Sequence, residues 1–122
     1  MTAEGAFLHL RAMHELALIQ SIVTAVEERV QPARVGVVRL QIGRLAGVSQ
    51  EALLFCFDVC TRGTLLEGAV LEIEGIAGRA RCRGCGADVA METFLDSCGA
   101  CGSAELEVVE GDELRIRNVE VH

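Results

Sequence analysis

Two cysteine pairs, Cys82-Arg83-Gly84-Cys85 and Cys98-Gly99-Ala100-Cys101, with twelve residues between them, constrain this chain more than any other feature. Cysteines separated by two residues sit on one tight turn, so both thiolates can take adjacent corners of a tetrahedron, and a second such turn supplies the other two corners. Gly86 and Gly102 each follow the second cysteine of a pair, where the turn tends to need a positive φ that glycine adopts without steric cost. The spacing predicts a zinc site made by Cys82, Cys85, Cys98 and Cys101. Four thiolates leave no open coordination position, so the ion is expected to hold the segment folded and to do no chemistry. Two alternatives share these residues. A pair of disulfides is disfavoured because nothing in the chain indicates secretion. A tetrathiolate iron site uses the same spacing, and since ligand softness does not separate the two metals, zinc is the expectation on frequency.

A chain of 122 residues is one ordinary domain, or a small core carrying a metal-held lobe. The second description fits better. Residues 78–112 hold the four paired cysteines, many glycines and few large apolar side chains, so this segment needs its ion in order to fold. The remainder is rich in Leu, Ile, Val and Ala and can build a core. The net charge is −7 and all eleven basic residues are arginine, a balance that argues against a protein devoted to a phosphate backbone. Arg79, Arg81 and Arg83 cluster at the first knuckle, but Glu105, Glu107, Glu110, Asp112 and Glu113 crowd the segment leaving the second, which predicts a mixed solvated surface. The apolar stretches are too short and too interrupted for a transmembrane helix. Glu4, His9 and Arg11 spoil a secretory signal, so the expected location is the cytoplasm.

From His14 to Val30, Leu16, Ile19, Val23, Val26 and Val30 recur at steps of three and four, the spacing of one helix face, and Pro32 ends that helix. Residues 6–12 contain neither Gly nor Pro and are expected to continue the helix or fray. Val35 to Gly43 alternates Val38, Leu40 and Ile42 against Arg39 and Gln41, a half-buried strand. Ser49 is placed to cap a second helix running to about Cys60, with Glu51 in its first turn and Gly63 just past its end. Ala69 to Ile76 and Leu114 to Val121 are further strands, the last broken at Asn118 in a way that suggests a bulge or a change of exposure near the carboxyl end. If these two strands are neighbours, Arg115 and Arg117 face Glu72 and Glu74.

The expected fold is α+β: a small mixed three-stranded sheet with two helices on one face, plus an inserted zinc-ribbon-like lobe. The two strands joined through a helix should be parallel with a right-handed crossover, and the last strand should return antiparallel. Leu40, Ile42, Phe55, Leu71, Ile73 and Ile116 are the expected core. Cys56 and Cys60 share an apolar helix face with Leu53 and Phe57 and are read as small buried hydrophobes that bind no metal.

Several short stretches in this order resemble the HypA/HybF hydrogenase maturation family. Met13-His14-Glu15 opens the first helix, Ile42-Gly43-Arg44-Leu45-Ala46-Gly47-Val48 joins strand to helix, Gly63-Thr64 and Leu66-Glu67-Gly68-Ala69 precede the next strand, and two Cys-x-x-Cys-Gly knuckles follow. The resemblance spans Met13 to the carboxyl terminus. It implies a nickel metallochaperone, not an enzyme, that passes Ni(II) with a HypB-like GTPase toward the large subunit of a [NiFe]-hydrogenase, using neither nucleic acid nor membrane. It also implies that zinc is structural and nickel is cargo, held at His14 with the backbone nitrogens of Met13 and Glu15 as further donors. Ni(II) accepts square-planar nitrogen sets of this kind. Without the resemblance His14 would read as an ordinary first-turn histidine, as His9 and His122 do.

The resemblance divides the chain into residues 1–12, an amino-terminal extension outside the family pattern, residues 13–77 with 113–122, a nickel-binding helix and sheet domain, and residues 78–112, a zinc-binding lobe. The rival reading is a zinc-ribbon module that binds nucleic acid or protein through Arg79, Arg81 and Arg83. The chain has no Trp or Tyr, and only Phe94 lies in the lobe, which leaves little for base stacking. An enzyme is disfavoured because no nucleophile with a paired base stands out and a closed tetrathiolate ion cannot activate water.

Overall fold

The computed structural model of the protein describes residues 2–3, 6–8 and 15–122. Helix α1 spans Glu15–Val30 and buries Leu18, Ile19, Ile22, Val23, Val26 and Val30, the stripe that steps of three and four demand. Leu16, expected on that stripe, is about half exposed. It lies in the first turn at the shoulder of the stripe, while Leu18 and Ile22 supply the contact.

Strand β3, Val35–Gly43, is central to the larger sheet. It pairs in parallel with β4, Val70–Ile76, placing Val38 beside Leu71 and Leu40 beside Ile73. On its other side it pairs antiparallel with β8, Leu114–Val121, where Leu40 meets Ile116 and Ile42 meets Leu114. The register slips between Arg39, opposite Asn118, and Leu40, opposite Ile116. Of the two outcomes the break at Asn118 suggested, this is the bulge, and it lets Ile116 and Val119, three residues apart, both turn inward.

The sheet has five strands rather than three. Strands β1, Thr2–Ala3, and β2, Ala6–Leu8, both pair antiparallel with β8 on the edge away from β3. Residues 6–8 are therefore strand, neither a continued helix nor a frayed end. A three-residue apolar strand has too few positions to show an alternation, so its sequence carries no period to read.

Helix α2, Gln50–Cys60, begins at Ser49, whose hydroxyl accepts the Ala52 N–H at 3.2 Å. It packs beside α1 on the inner face of the sheet, where Leu53 and Phe57 join the core with Leu18, Ile22, Leu40 and Leu66. Phe55, expected in that core, is 71% exposed. Two helical residues turn through about 200°, so Phe55 and Phe57 cannot share a face, and the sheet takes Phe57. Cys56 and Cys60 are partly buried and pack against the core, as expected.

The opposite face of the sheet is polar. Arg39 reaches Glu72 on β4 at 2.9 Å, Asn118 at 2.9 Å and Glu120 on β8, and Gln41 donates to Glu74 at 2.7 Å. Strands β4 and β8 are not neighbours, because β3 lies between them. Arg39 and Gln41 thus take the cross-strand places expected of Arg115 and Arg117.

A second sheet rises from the chain between β4 and β8. Strands β5, Gly78–Cys82, β6, Asp88–Met91, and β7, Leu106–Glu110, form an antiparallel sheet with β5 in the middle. Its small core of Ala80, Cys82, Val89, Met91 and Cys98 includes one residue from outside the lobe, Leu45. Leu45 lies on the 3-10 turn Arg44–Ala46 that follows β3, and its N–H donates to the Gly111 carbonyl at 2.8 Å.

Candidate metal centre

The two knuckles are built alike. In the first, Gly86 N–H returns to the Cys82 carbonyl at 2.8 Å, and in the second Gly102 N–H returns to the Cys98 carbonyl at 2.8 Å. Gly86 and Gly102 have φ of +77° and +78°, the left-handed geometry expected at the close of each turn. Cys82 ends β5 and opens the first knuckle, Cys98 opens the second after the loop that follows β6, and the two turns bring their sulfurs together. Cys82 Sγ lies 3.5 Å from Cys101 Sγ, Cys85 Sγ lies 3.7 Å from Cys98 Sγ, and all four sulfurs lie within 4.8 Å of one another.

These separations exclude disulfides and suit a metal ion. A disulfide needs about 2.05 Å between sulfurs, so all four cysteines are free. Four Zn–S bonds of about 2.3 Å in a tetrahedron require sulfurs about 3.8 Å apart, close to what the knuckles provide. Backbone N–H groups aim at the sulfurs as well. The N–H of Cys85 leads in drawing the Cys82 thiol down, and the N–H groups of Cys101 and Ala100 draw the Cys98 thiol down to about 7. For Cys101 the Ser103 N–H pulls the same way, but the neighbouring Cys82 and Cys85 outweigh it and push the thiol up to about 12. Cys85 is raised too: the Ala87 N–H lowers it, but crowding by Cys98 and by Cys82 outweighs that. Four sulfurs this close cannot all ionise without a cation among them, and a divalent ion supplies that charge. The donor set therefore fits a closed structural zinc, with Cys82 and Cys98 buried and Cys85 and Cys101 at the surface.

Among the described residues these four form the one group of three or more His, Cys, Asp or Glu side chains close enough to hold a metal. Cys56 and Cys60 are not drawn into such a group. Met13, His14 and His9 lie outside the described residues. Glu15 is the first residue of α1, and its carboxylate accepts the Ser49 N–H at 3.3 Å, so the start of α1 is tied to the cap of α2. His122 is exposed at the end of β8, its backbone N–H bonded to the Arg34 carbonyl at 2.9 Å.

The arginines of the first knuckle do not form a free basic surface. Arg79 lies opposite Glu110 and Arg81 opposite Glu107 across β5 and β7, and Arg83 Nε stands 3.7 Å from Glu107. The acidic run leaving the second knuckle thus interleaves with the arginine cluster of the first, the mixed surface that composition predicted.

The family model described as hydrogenase/urease nickel incorporation, metallochaperone, hypA matches residues 13–121. This chain belongs to the HypA family. It is 50% identical over 109 residues to the hydrogenase maturation factor HypA of Nostoc sp., covering 89% of this chain and 96% of that one. It is 46% identical over 109 residues to the factor of the same name from Geobacter metallireducens, covering 89% and 99% of the two chains. The solution structure of the Ni metallochaperone HypA from Helicobacter pylori superposes with a TM-score of 0.65 at 19% identity, over 89% of this chain and 97% of that one, and so shares the fold. The HypA family is one of metallochaperones and maturation factors. The stretch Ile42 to Val48, quoted above for the resemblance, now has a structural meaning: it carries Gly43 and Leu45, which join the larger sheet to the metal lobe. Among the described residues no helix is long and apolar enough to cross a membrane.

Proposed function

We propose that this protein is a nickel metallochaperone that receives Ni(II) and hands it on during hydrogenase maturation, with one structural zinc on Cys82, Cys85, Cys98 and Cys101. The observation that carries the proposal is the HypA family match over residues 13–121, from Met13 through both knuckles. Nickel is assigned to His14, with the backbone nitrogens of Met13 and Glu15 as further donors, because the Met13-His14-Glu15 segment matches the family's amino-terminal pattern. The division of labour follows from coordination chemistry. A closed tetrathiolate has no position for cargo or for an activated water, so transfer needs a second, open site, and the protein works as a carrier, not an enzyme. The proposed partners are a HypB-like GTPase and the large subunit of a [NiFe]-hydrogenase, and the proposed location is the cytoplasm. The working units are residues 13–77 with 113–122, which present nickel, and residues 78–112, which the zinc holds together.

Metal counting tests this directly. Nickel and zinc per chain are measured after purification, with and without added Ni(II), for the parent and for His14→Ala. One zinc in both and added nickel only in the parent is the expected result. Nickel uptake unaffected by His14→Ala overturns the site, and no nickel uptake by any form overturns the function.

A further inference from the structure

The loop Glu92-Thr93-Phe94-Leu95-Asp96, between β6 and the second knuckle, holds its two large apolar side chains in water: Phe94 is 58% exposed and Leu95 94% exposed. The lobe does not use them, since its core is closed by Leu45, Ala80, Val89 and Met91 with the buried cysteines. Nor is the loop slack. Asp96 Oδ2 accepts the Glu92 N–H at 2.7 Å and the Thr93 N–H at 3.3 Å, and Oδ1 accepts the Thr93 hydroxyl at 3.2 Å. Thr93 Oγ1 accepts the Leu95 N–H at 3.1 Å, and the Thr93 carbonyl accepts the Asp96 N–H at 3.2 Å. These bonds fix the backbone on both sides of the tip. Adjacent exposed apolar side chains mark contact surfaces, and a tip already ordered by its own polar groups loses little further freedom on docking.

Charge selects the partner. Glu92 and Asp96 flank the tip, Arg44 stands 3.7 Å from Glu92, and the whole chain carries −7. An anionic bilayer or a second copy of this chain would meet like charge. We infer that Phe94 and Leu95 form a docking prong for a protein partner offering an apolar pocket rimmed by lysine or arginine. The prong would seat that partner during nickel handover, and to that extent the inference rests on the proposed function.

The test compares the parent with the double variant Phe94→Ser and Leu95→Ser, and with Glu92→Lys. Each chain is assayed for zinc and nickel content and titrated calorimetrically against the purified HypB-like GTPase and the hydrogenase large-subunit precursor, at low and raised salt. The double variant is expected to keep both metals and to bind one of these proteins at least about tenfold more weakly, the effect of withdrawing one buried Leu or Phe. Glu92→Lys should weaken the same complex, and parent binding should fall as salt rises. Unchanged affinity for both proteins with nickel uptake intact overturns the prong alone. Absence of nickel uptake overturns the function instead. The prong is also overturned if the parent binds neither protein, or if the double variant abolishes binding to anionic vesicles or self-association of the chain.

Discussion

Gly43 and Gly111 meet backbone to backbone: a methyl group on Gly43 would fall 2.0 Å from the Gly111 carbonyl oxygen. That carbonyl also receives the Leu45 N–H, and Gly111, at φ +97°, rests on Gly78, where its own methyl would fall 2.5 Å from the Gly78 Cα. The end of β3, the start of β5 and the turn between β7 and β8 therefore cross at one point. The two sheets are joined by main chain in contact with main chain, with Leu45 as the side chain that crosses over.

Gly43→Ala is predicted to destabilise the protein by more than the ~1–3 kcal/mol typical of overpacking, because the obstructing atoms are backbone and cannot rotate away. Gly47→Ala is the control. Gly47 has φ +68° with nothing within 4 Å of an added methyl, so only the left-handed backbone opposes alanine, at about 1–2 kcal/mol. Thermal unfolding of the two variants should rank them in that order. Equal losses would show that the junction is loose.

Cys98→Ser is predicted to abolish zinc binding and to unfold the lobe while the larger sheet persists. The lobe buries few large side chains beyond Leu45, Val89 and Met91, so the ion must supply most of its folding free energy. Amide exchange should show protection lost through β5, β6 and β7 and weakened at residues 43–47, but retained at Val38, Leu40 and Ile116. Zinc release should follow acidification, since bound thiolates are deprotonated and protons compete with the ion as pH falls. Equal loss of protection in both sheets would show a single cooperative unit.

The first helix, the three principal strands and the four thiolates were legible because each rests on a period or spacing written in consecutive residues, and the second helix because Ser49 and Gly63 mark its ends. What was missed depends on contacts between distant segments. Nothing in Arg44-Leu45-Ala46 tells that Leu45 will enter the core of another sheet, or that Gly43 must lack a side chain because Gly111 arrives beside it. The assignment of Phe55 failed for a different reason: the stretch Leu53-Leu54-Phe55-Cys56-Phe57 is apolar all round, so the sequence marks a helix without marking its face.

Phe57→Ala is accordingly expected to cost about 3–5 kcal/mol, as a buried aromatic does. Phe55→Ala should stay within about 0.5 kcal/mol, the range of exposed substitutions. Urea denaturation separates these outcomes, and a large loss at Phe55 would mean that α2 is rotated relative to the sheet.

Replacing Cys56 and Cys60 together by Ala is expected to leave zinc and nickel stoichiometry unaltered, with a modest loss of stability. Both side chains pack against the core, and among the described residues neither belongs to a group of three or more His, Cys, Asp or Glu side chains close enough to hold a metal. Elemental analysis of the double variant decides this, and loss of either metal would overturn the packing role.

The residues ahead of the proposed nickel ligand decide which nitrogen Met13 can offer. The family match begins at residue 13, yet here twelve residues precede it, and residues 6–8 pair with β8, setting Leu8 opposite Leu114. With that segment attached, the nitrogen of Met13 is a peptide amide, which must lose a proton to bind Ni(II). In a chain of residues 13–122 the same nitrogen is a free amine, with a pKa near 8 and a lone pair available near neutral pH. A square-planar set built on His14 gains a far better donor in the shorter chain. Residues 1–122, residues 13–122 and residues 13–122 with His14→Ala should therefore be titrated with Ni(II) while zinc is monitored. Nickel binding is expected to be tightest in the second, weaker in the first and weakest in the third, with zinc unchanged in all three, because Cys82, Cys85, Cys98 and Cys101 do not depend on the amino terminus. Equal nickel affinity in the first and second would show that the amine is not a ligand. Equal affinity in the second and third would remove His14 from the site.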